Sequence, residues 1–306
     1  MADLNTDLGK IQLKNPVMTA SGTFGYGKEY NEFFPISDLG AVVVKGIAPF
    51  ESHGNSTPRI AEVTSGMLNA IGLQGPGVDK FINGDDYLPF LRLSGADVIV
   101  NIWGRTVDEY AETASRLSDF AKDLTGLEIN ISCPNVKEGG ASFGTDIKSA
   151  VEVVKAVRDS TDLPLITKLS PNFTAVGKFA EAVVDAGSDM ISLINTLPAM
   201  AIDIKTRKPK IANVFGGLSG PAIKPVALKM VYEVSKAVDV PVIGMGGIFS
   251  YEDALEFFIA GASAVAVGTA IFSNPYAPVH IIKGIEKFLD ENGIEKISDI
   301  VGSIKL

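Results

Sequence analysis

Cysteine is almost missing from this 306-residue sequence; Cys133 is the only one. An internal disulfide is thereby excluded, and so is an iron–sulfur cluster held by this chain's own thiolates. Histidine is nearly as scarce. His53 and His280 lie far apart, with no neighbouring ligand pattern, so no metal site is expected. Positive charge is in deficit: 27 Lys and Arg stand against 36 Asp and Glu, a formal net charge of −9. Such a chain repels a nucleic-acid backbone, and no nucleic-acid partner is expected. No apolar run approaches the 18 or so residues of a membrane helix, so no membrane association is expected either. The first five residues, Met1-Ala2-Asp3-Leu4-Asn5, hold no basic region and no apolar run, which speaks against a signal peptide. A reduced, cytoplasmic location follows as the expectation.

What is present is an ordinary globular composition, 46% hydrophobic and 21% charged. Eight short apolar runs recur, at 16–20, 41–45, 97–101, 128–131, 165–169, 190–194, 242–245 and 264–267. Between many of them lie segments of helical period, at 107–124, 147–160, 174–186, 223–238 and 251–260. In the first of these Tyr110, Ala114, Leu117 and Ala121 share a face, with Asp108 and Glu109 in the opening turn. Gly187 and Gly261 stand where C-terminal caps belong. Alternating strands and helices with near-continuous apolar strands require a parallel sheet covered on both faces. Eight strands point to an α/β chain folded as a (β/α)8 TIM barrel, read as a single domain over 1–306. Residues 3–15 read as a β-hairpin preceding it, placed to plug the barrel bottom. An open doubly wound sheet is the alternative, weakened because no GxGxxG follows the first strand. Three connections, at 46–96, 132–147 and 195–222, are too long for turns. They all leave carboxyl ends of strands, where barrel enzymes place their sites.

The chemistry gathers at those ends. Gly244-Met245-Gly246-Gly247-Ile248 and Ala266-Val267-Gly268-Thr269-Ala270 close strands seven and eight. Glycine in a strand-to-helix turn lets backbone N–H groups approach a phosphate. One such turn is commonplace; two on adjacent strands indicate a phosphate site. Lys45 and Lys168 each end an apolar strand, and two cations beside a phosphate cradle imply an anionic ligand. Asn69, Asn101, Asn130, Asn135 and Asn195 also fall at strand ends or on the long connections. Singly each suits a turn; together they suit a flat ligand with alternating N–H and C=O edges. Within the stretch 127–135, Cys133 sits where the strand stops, between Asn130 and Asn135 and immediately before Pro134. Lone cysteines are ordinarily inert packing, but this one leaves a strand into a polar loop. With no histidine placed to activate a nucleophile, a proton-transfer base is the preferred role.

The assembled motifs resemble class 1 dihydroorotate dehydrogenases, most closely the NAD-linked B-type catalytic subunit. The resemblance rests on Asn15–Thr23, Val44-Lys45-Gly46, Asn69-Ala70-Ile71-Gly72-Leu73-Gln74, Val100–Gly104, Asn130–Asn135, Thr167–Asn172, Asn195-Thr196, Gly216–Pro221 and the two glycine turns. Gly75 departs from the pattern, which has asparagine there, and this leaves the local loop shape open.

The resemblance implies an FMN enzyme that oxidises dihydroorotate to orotate in de novo pyrimidine synthesis. It makes Cys133 the base at C5, while a hydride leaves C6 for the flavin. Substrate contacts would come from Lys45, Asn69, Ala70, Ile71, Gly72, Leu73, Asn130, Asn135, Asn195 and Thr196. FMN would be held by Ser21, Lys45, Gly46, Asn101, Asn130, Lys168, Ile194, Gly220, Gly246, Gly247, Gly268 and Thr269. It further implies a homodimer core with two electron-transfer subunits carrying FAD and a [2Fe–2S] cluster, passing electrons to NAD+. A fumarate-linked homodimeric A type is the alternative; the wording of 69–74 and 216–221 favours the B type. A non-redox sugar-phosphate lyase or isomerase barrel lacks its pair of mouth carboxylates here. A flavin barrel acting on tRNA, such as a dihydrouridine synthase, is opposed by the acidic charge.

Overall fold

The computed structural model describes residues 2–132 and 146–306. Eight parallel strands form its centre: β1 (Val17–Thr19), β2 (Val42–Ile47), β3 (Val98–Ile102), β4 (Gly126–Asn130), β5 (Leu165–Lys168), β6 (Met190–Leu193), β7 (Val242–Met245) and β8 (Ala264–Val267). Each pairs with its sequence neighbours from β2 through β8, and β8 pairs with β1, Val265 opposite Val17. The remaining seam between β1 and β2 is held by a Met18–Ala41 bridge, so the sheet closes into a (β/α)8 barrel. The eight strands coincide with the eight apolar runs of the sequence to within two residues at either end. A run buried on both faces carries its signal in every residue.

The helices lie outside, each burying one face on the strands. Val107–Ser118 opens with a capping box between Thr106 and Glu109 and buries Tyr110, Thr113, Ala114 and Leu117. The expected helix to 124 stops earlier. Asp119 ends it, a 3-10 turn follows over Ala121–Asp123, and Ala121 is exposed instead of sharing the buried face. Periodicity continued where hydrogen bonding did not. Tyr251–Ala260 has a second capping box, Ser250 with Asp253, and ends on Gly261 at φ 116°.

The N-terminal hairpin pairs Thr6–Asp7 with Gln12–Leu13. Its Leu8, Ile11 and Leu13 are at most 2% exposed and join a cluster with Met18, Val43, Ile99, Ile166 and Met190 from the strands. Lys10 pairs at 2.8 Å with Asp189, which immediately precedes β6. The hairpin therefore stoppers the amino-terminal end, and the other end is left for a ligand.

Two of the long connections combine at that carboxyl end. Ile60–Val63 and Gly66–Asn69 from one, with Phe215–Ser219 and Leu197–Met200 from the other, form a four-stranded antiparallel sheet beside the barrel mouth. Asn69 stands opposite Gly217 in this register. Residues about 150 positions apart thus come together, and neither segment alone announces it.

Candidate active site

The mouth opens into a cavity of about 1480 Å³ between the strand ends and the small sheet. All the described candidates line it. Lys45, Gly46, Asn101, Asn130 and Lys168 come from the strands, while Asn69, Ala70, Ile71, Gly72 and Leu73 come from the first long connection. Ile194 follows β6, Asn195, Thr196 and Gly220 come from the connection at 195–222, and Ser21, Gly246, Gly247, Gly268 and Thr269 complete one end. Cys133 and Asn135 lie outside the described residues, so the placement of the expected base and of one carboxamide is not part of this geometry.

Lys45 follows Val42–Val44 on β2, where the register with β3 shifts between Val44 and Ile47. Its side chain is half-buried. Burial holds its ammonium below the ordinary lysine range, and the positive charge of Arg59 pushes the same way. Arg59 donates to the backbone carbonyl of Asn55 at 3.3 Å and to the Gln74 side chain. Neither cation forms an ion pair with a carboxylate among the described residues. Two neighbouring cations on a cavity wall suit a bound carboxylate.

Asn130 and Asn195 meet at 3.5 Å, Nδ2 of Asn195 donating to Oδ1 of Asn130. The Asn130 carbonyl accepts from the Tyr110 hydroxyl at 2.7 Å, which fixes the end of β4 from behind. Asn195 Oδ1 accepts from the Thr196 N–H at 2.8 Å. Asn69 donates to the Gly217 carbonyl at 3.4 Å and faces them from the small sheet. The carboxamides anticipated at strand ends thus form a group, with local bonds that leave part of each amide for a ligand.

The two glycine turns stand side by side at the ends of β7 and β8. At Gly247, φ is 79° and an added Cβ would lie 2.9 Å from the Gly220 carbonyl, so no larger residue fits there. At Gly268 an added Cβ would meet only Ala20, at 3.6 Å, leaving the backbone open toward the cavity. The helix following Thr269 is a single turn, Ala270–Ser273, so any attraction for phosphate there comes from free N–H groups rather than from a long dipole.

Three contributors were not anticipated from sequence. Glu128, in β4, is 2% exposed and lies beneath the cavity floor. Ser192 of β6 donates to it at 2.7 Å. Tyr26 lines the cavity with a buried hydroxyl that has no hydrogen-bond partner among the described residues, and burial pushes that hydroxyl's pKa up. Only Glu128 left a signal in the sequence, as a charged residue inside an otherwise apolar strand.

Comparison with known proteins agrees with this geometry. The family model described as dihydroorotate dehydrogenase matches residues 3–289. The chain is 55% identical over 304 residues to the "Dihydroorotate dehydrogenase B (NAD(+)), catalytic subunit" of Geotalea daltonii, covering 99% of both chains. Proteins of the same name from Geotalea uraniireducens and Alkaliphilus metalliredigens are each 56% identical over 302 residues. These matches cover 99% of this chain and 98% and 99% of the respective relatives.

Proposed function

This chain belongs to the dihydroorotate dehydrogenase family, and from that premise we propose that it is an FMN-dependent catalytic subunit oxidising dihydroorotate to orotate in pyrimidine synthesis. The observation that carries the reading is the convergence of Lys45, Lys168, the carboxamide group and both glycine turns on one cavity. The residues present fit FMN. Gly268 leaves room at the backbone for a phosphate, and the buried Oδ1 of Asn101 awaits a donor such as a flavin ring N–H.

The protein's own groups divide the work. FMN, when bound, supplies the two-electron acceptor for the hydride from C6. Lys45, beside Arg59, pairs with the substrate carboxylate. Asn69, Asn130, Asn195 and Thr196 hold the pyrimidine edges, and Asn135 is assigned to the same group on the resemblance. Residues Ala70 to Leu73 cover the ring. Lys168 places a fixed positive charge where electrons arrive, and such preorganised charge is effective in a water-poor site. Cys133 takes the C5 proton, on the resemblance and on its place just beyond β4.

The relatives' name, a catalytic subunit linked to NAD+, supports an electron-transfer partner. The finer assignment is two such subunits carrying FAD and [2Fe–2S] on a homodimer of this chain. One cysteine cannot supply the cluster's ligands, in keeping with that division. Exposed Met200, Ile202, Ile204 and Phe215 beside the mouth supply apolar surface for a protein neighbour. Among the described residues no helix is long and apolar enough to cross a membrane.

The purified protein should be yellow, and dihydroorotate should bleach it under anaerobic conditions. A colourless preparation that FMN cannot reconstitute would sink the reading. Co-expression with a candidate iron–sulfur partner should make NAD+ the acceptor; turnover with fumarate but not NAD+ would instead assign the A type. Cys133→Ser should keep the colour yet slow bleaching strongly near neutral pH, because an alcohol is a poor base.

A further inference from the structure

Glu128 and Lys168 are the only charged side chains fully buried among the described residues, at 2% and 5% exposure. A carboxylate inside a barrel strand is costly unless donors surround it. Glu128 collects two donors from two other strands and a cation from a third. Asn101 Nδ2 of β3 donates at 2.6 Å, and Ser192 Oγ of β6 donates at 2.7 Å. Lys168 Nζ of β5 stands at 3.8 Å, close enough for charge pairing but beyond hydrogen-bond length. Lys168 and Asn101 line the cavity, whereas Glu128 does not.

We propose that Glu128 is a positioning residue for the cavity floor, fixing how both neighbours face the flavin; the inference rests on the FMN reading above. Its first effect is on Asn101. With Nδ2 committed to the carboxylate, Oδ1 is left as the acceptor, buried beside Gly46 and without a partner. An added Cβ on Gly46 would lie 2.9 Å from that oxygen, so the absence of a side chain at Gly46 keeps the approach clear. The reversed amide would set oxygen against carboxylate, a repulsion that selects the observed orientation. The floor therefore offers an acceptor, not a donor, at Asn101.

The second effect is on charge. A lone buried ammonium at Lys168 would strongly favour the reduced, more negative flavin. Glu128 offsets part of that field while leaving the ammonium protons free of a short hydrogen bond to the carboxylate. The flavin's midpoint potential is thereby kept low, as it must be if electrons are to continue to a nicotinamide through a partner subunit.

The test is an equilibrium dye titration of the FMN midpoint potential in the purified flavoprotein, with the FMN dissociation constant measured alongside. E128Q should raise the midpoint and weaken FMN binding about tenfold, since glutamine can donate to Asn101 and release its amide to turn. E128D keeps the anion and should return the midpoint toward wild type. A folded, yellow E128Q whose midpoint equals wild type overturns the proposal, as does an E128D shifted as far as E128Q. Should E128Q alone not fold, the E128Q/K168M double substitution removes both buried charges, the better tolerated change. Its midpoint should then lie above that of K168M, and equal midpoints overturn the proposal. A wild-type protein that holds no FMN refutes the flavin reading itself, a result separable from any of these.

Discussion

The Thr19 hydroxyl closes the barrel against Val43. Its Oγ1 accepts the Val43 N–H at 2.9 Å and donates to the Val43 carbonyl at 3.3 Å. Both residues are buried, and β1 is only three residues long. A side chain thus does the work of a missing backbone pairing at the one seam where the strand ladder is reduced to a single bridge.

Thr19→Val keeps the shape and removes both bonds, leaving a buried N–H and a buried carbonyl without partners. Unsatisfied buried groups cost roughly 1–3 kcal/mol each. Chemical denaturation of the purified protein should show a loss of roughly 2–6 kcal/mol for the two groups together, and Thr19→Ser should recover much of it. Unchanged stability in Thr19→Val would place the closure of the barrel elsewhere.

Lys45 supplies a pH prediction. Its folded-state pKa lies below the ordinary lysine value of 10.5, through burial and then Arg59. Between those two pKa values the unfolded chain binds more protons, so stability rises with pH across that window. Below it the penalty of the buried charge is fully present. Lys45→Met removes the penalty, and at neutral pH the variant should melt no lower than wild type. Orotate affinity should nevertheless fall roughly 10- to 100-fold, as for a charge pair losing one partner. In wild type that affinity should decline as pH rises through the lowered pKa. A variant that binds orotate normally would remove Lys45 from carboxylate recognition.

Gly75 stands where the family resemblance leads one to expect asparagine. It exchanges two 2.9 Å backbone bonds with Ser52, and an added Cβ would lie 2.9 Å from the Gly46 carbonyl. Gly75→Asn must push the first long connection off β2, at a cost of about 1–3 kcal/mol for overpacking. Thermal melting and the KM for dihydroorotate should both report it, one falling and the other rising. A variant equal to wild type in both would mean that the loop shifts freely.

Gly268 separates binding from folding. An added Cβ would meet no protein atom closer than 3.6 Å, so Gly268→Ala should fold with wild-type stability. The methyl group would project beside the backbone that a phosphate approaches, and FMN should bind about tenfold more weakly, a loss of ~1.4 kcal/mol. Fluorescence of released FMN measures this directly. Unaltered affinity would move the phosphate away from the turn after β8.

Much of this was legible without coordinates. Each barrel strand is buried on both faces, so burial wrote β-branched and aliphatic residues into every position of Val42-Val43-Val44 and Ala264–Val267. Lys45, Lys168 and the glycine turns were visible because each interrupts such a run at its carboxyl end. The helix after Thr106 was overextended because Ala121 keeps the period after the hydrogen bonds have ended.

Sequence by itself determined the eight-fold alternation and put Lys45, Lys168, Asn101, Asn130 and the two glycine turns at strand ends, since local pattern and strand position suffice for both. Only the tertiary structure decided which of them meet. Asn69 faces Gly217 across about 150 residues of chain, and Arg59 reaches the neighbourhood of Lys45 through a small sheet built from two distant connections. Glu128 was in plain view as a charge in an apolar strand. Its meaning depends on Asn101, Lys168 and Ser192 arriving from three other strands, and no local sequence pattern records pairings that closure of the barrel creates.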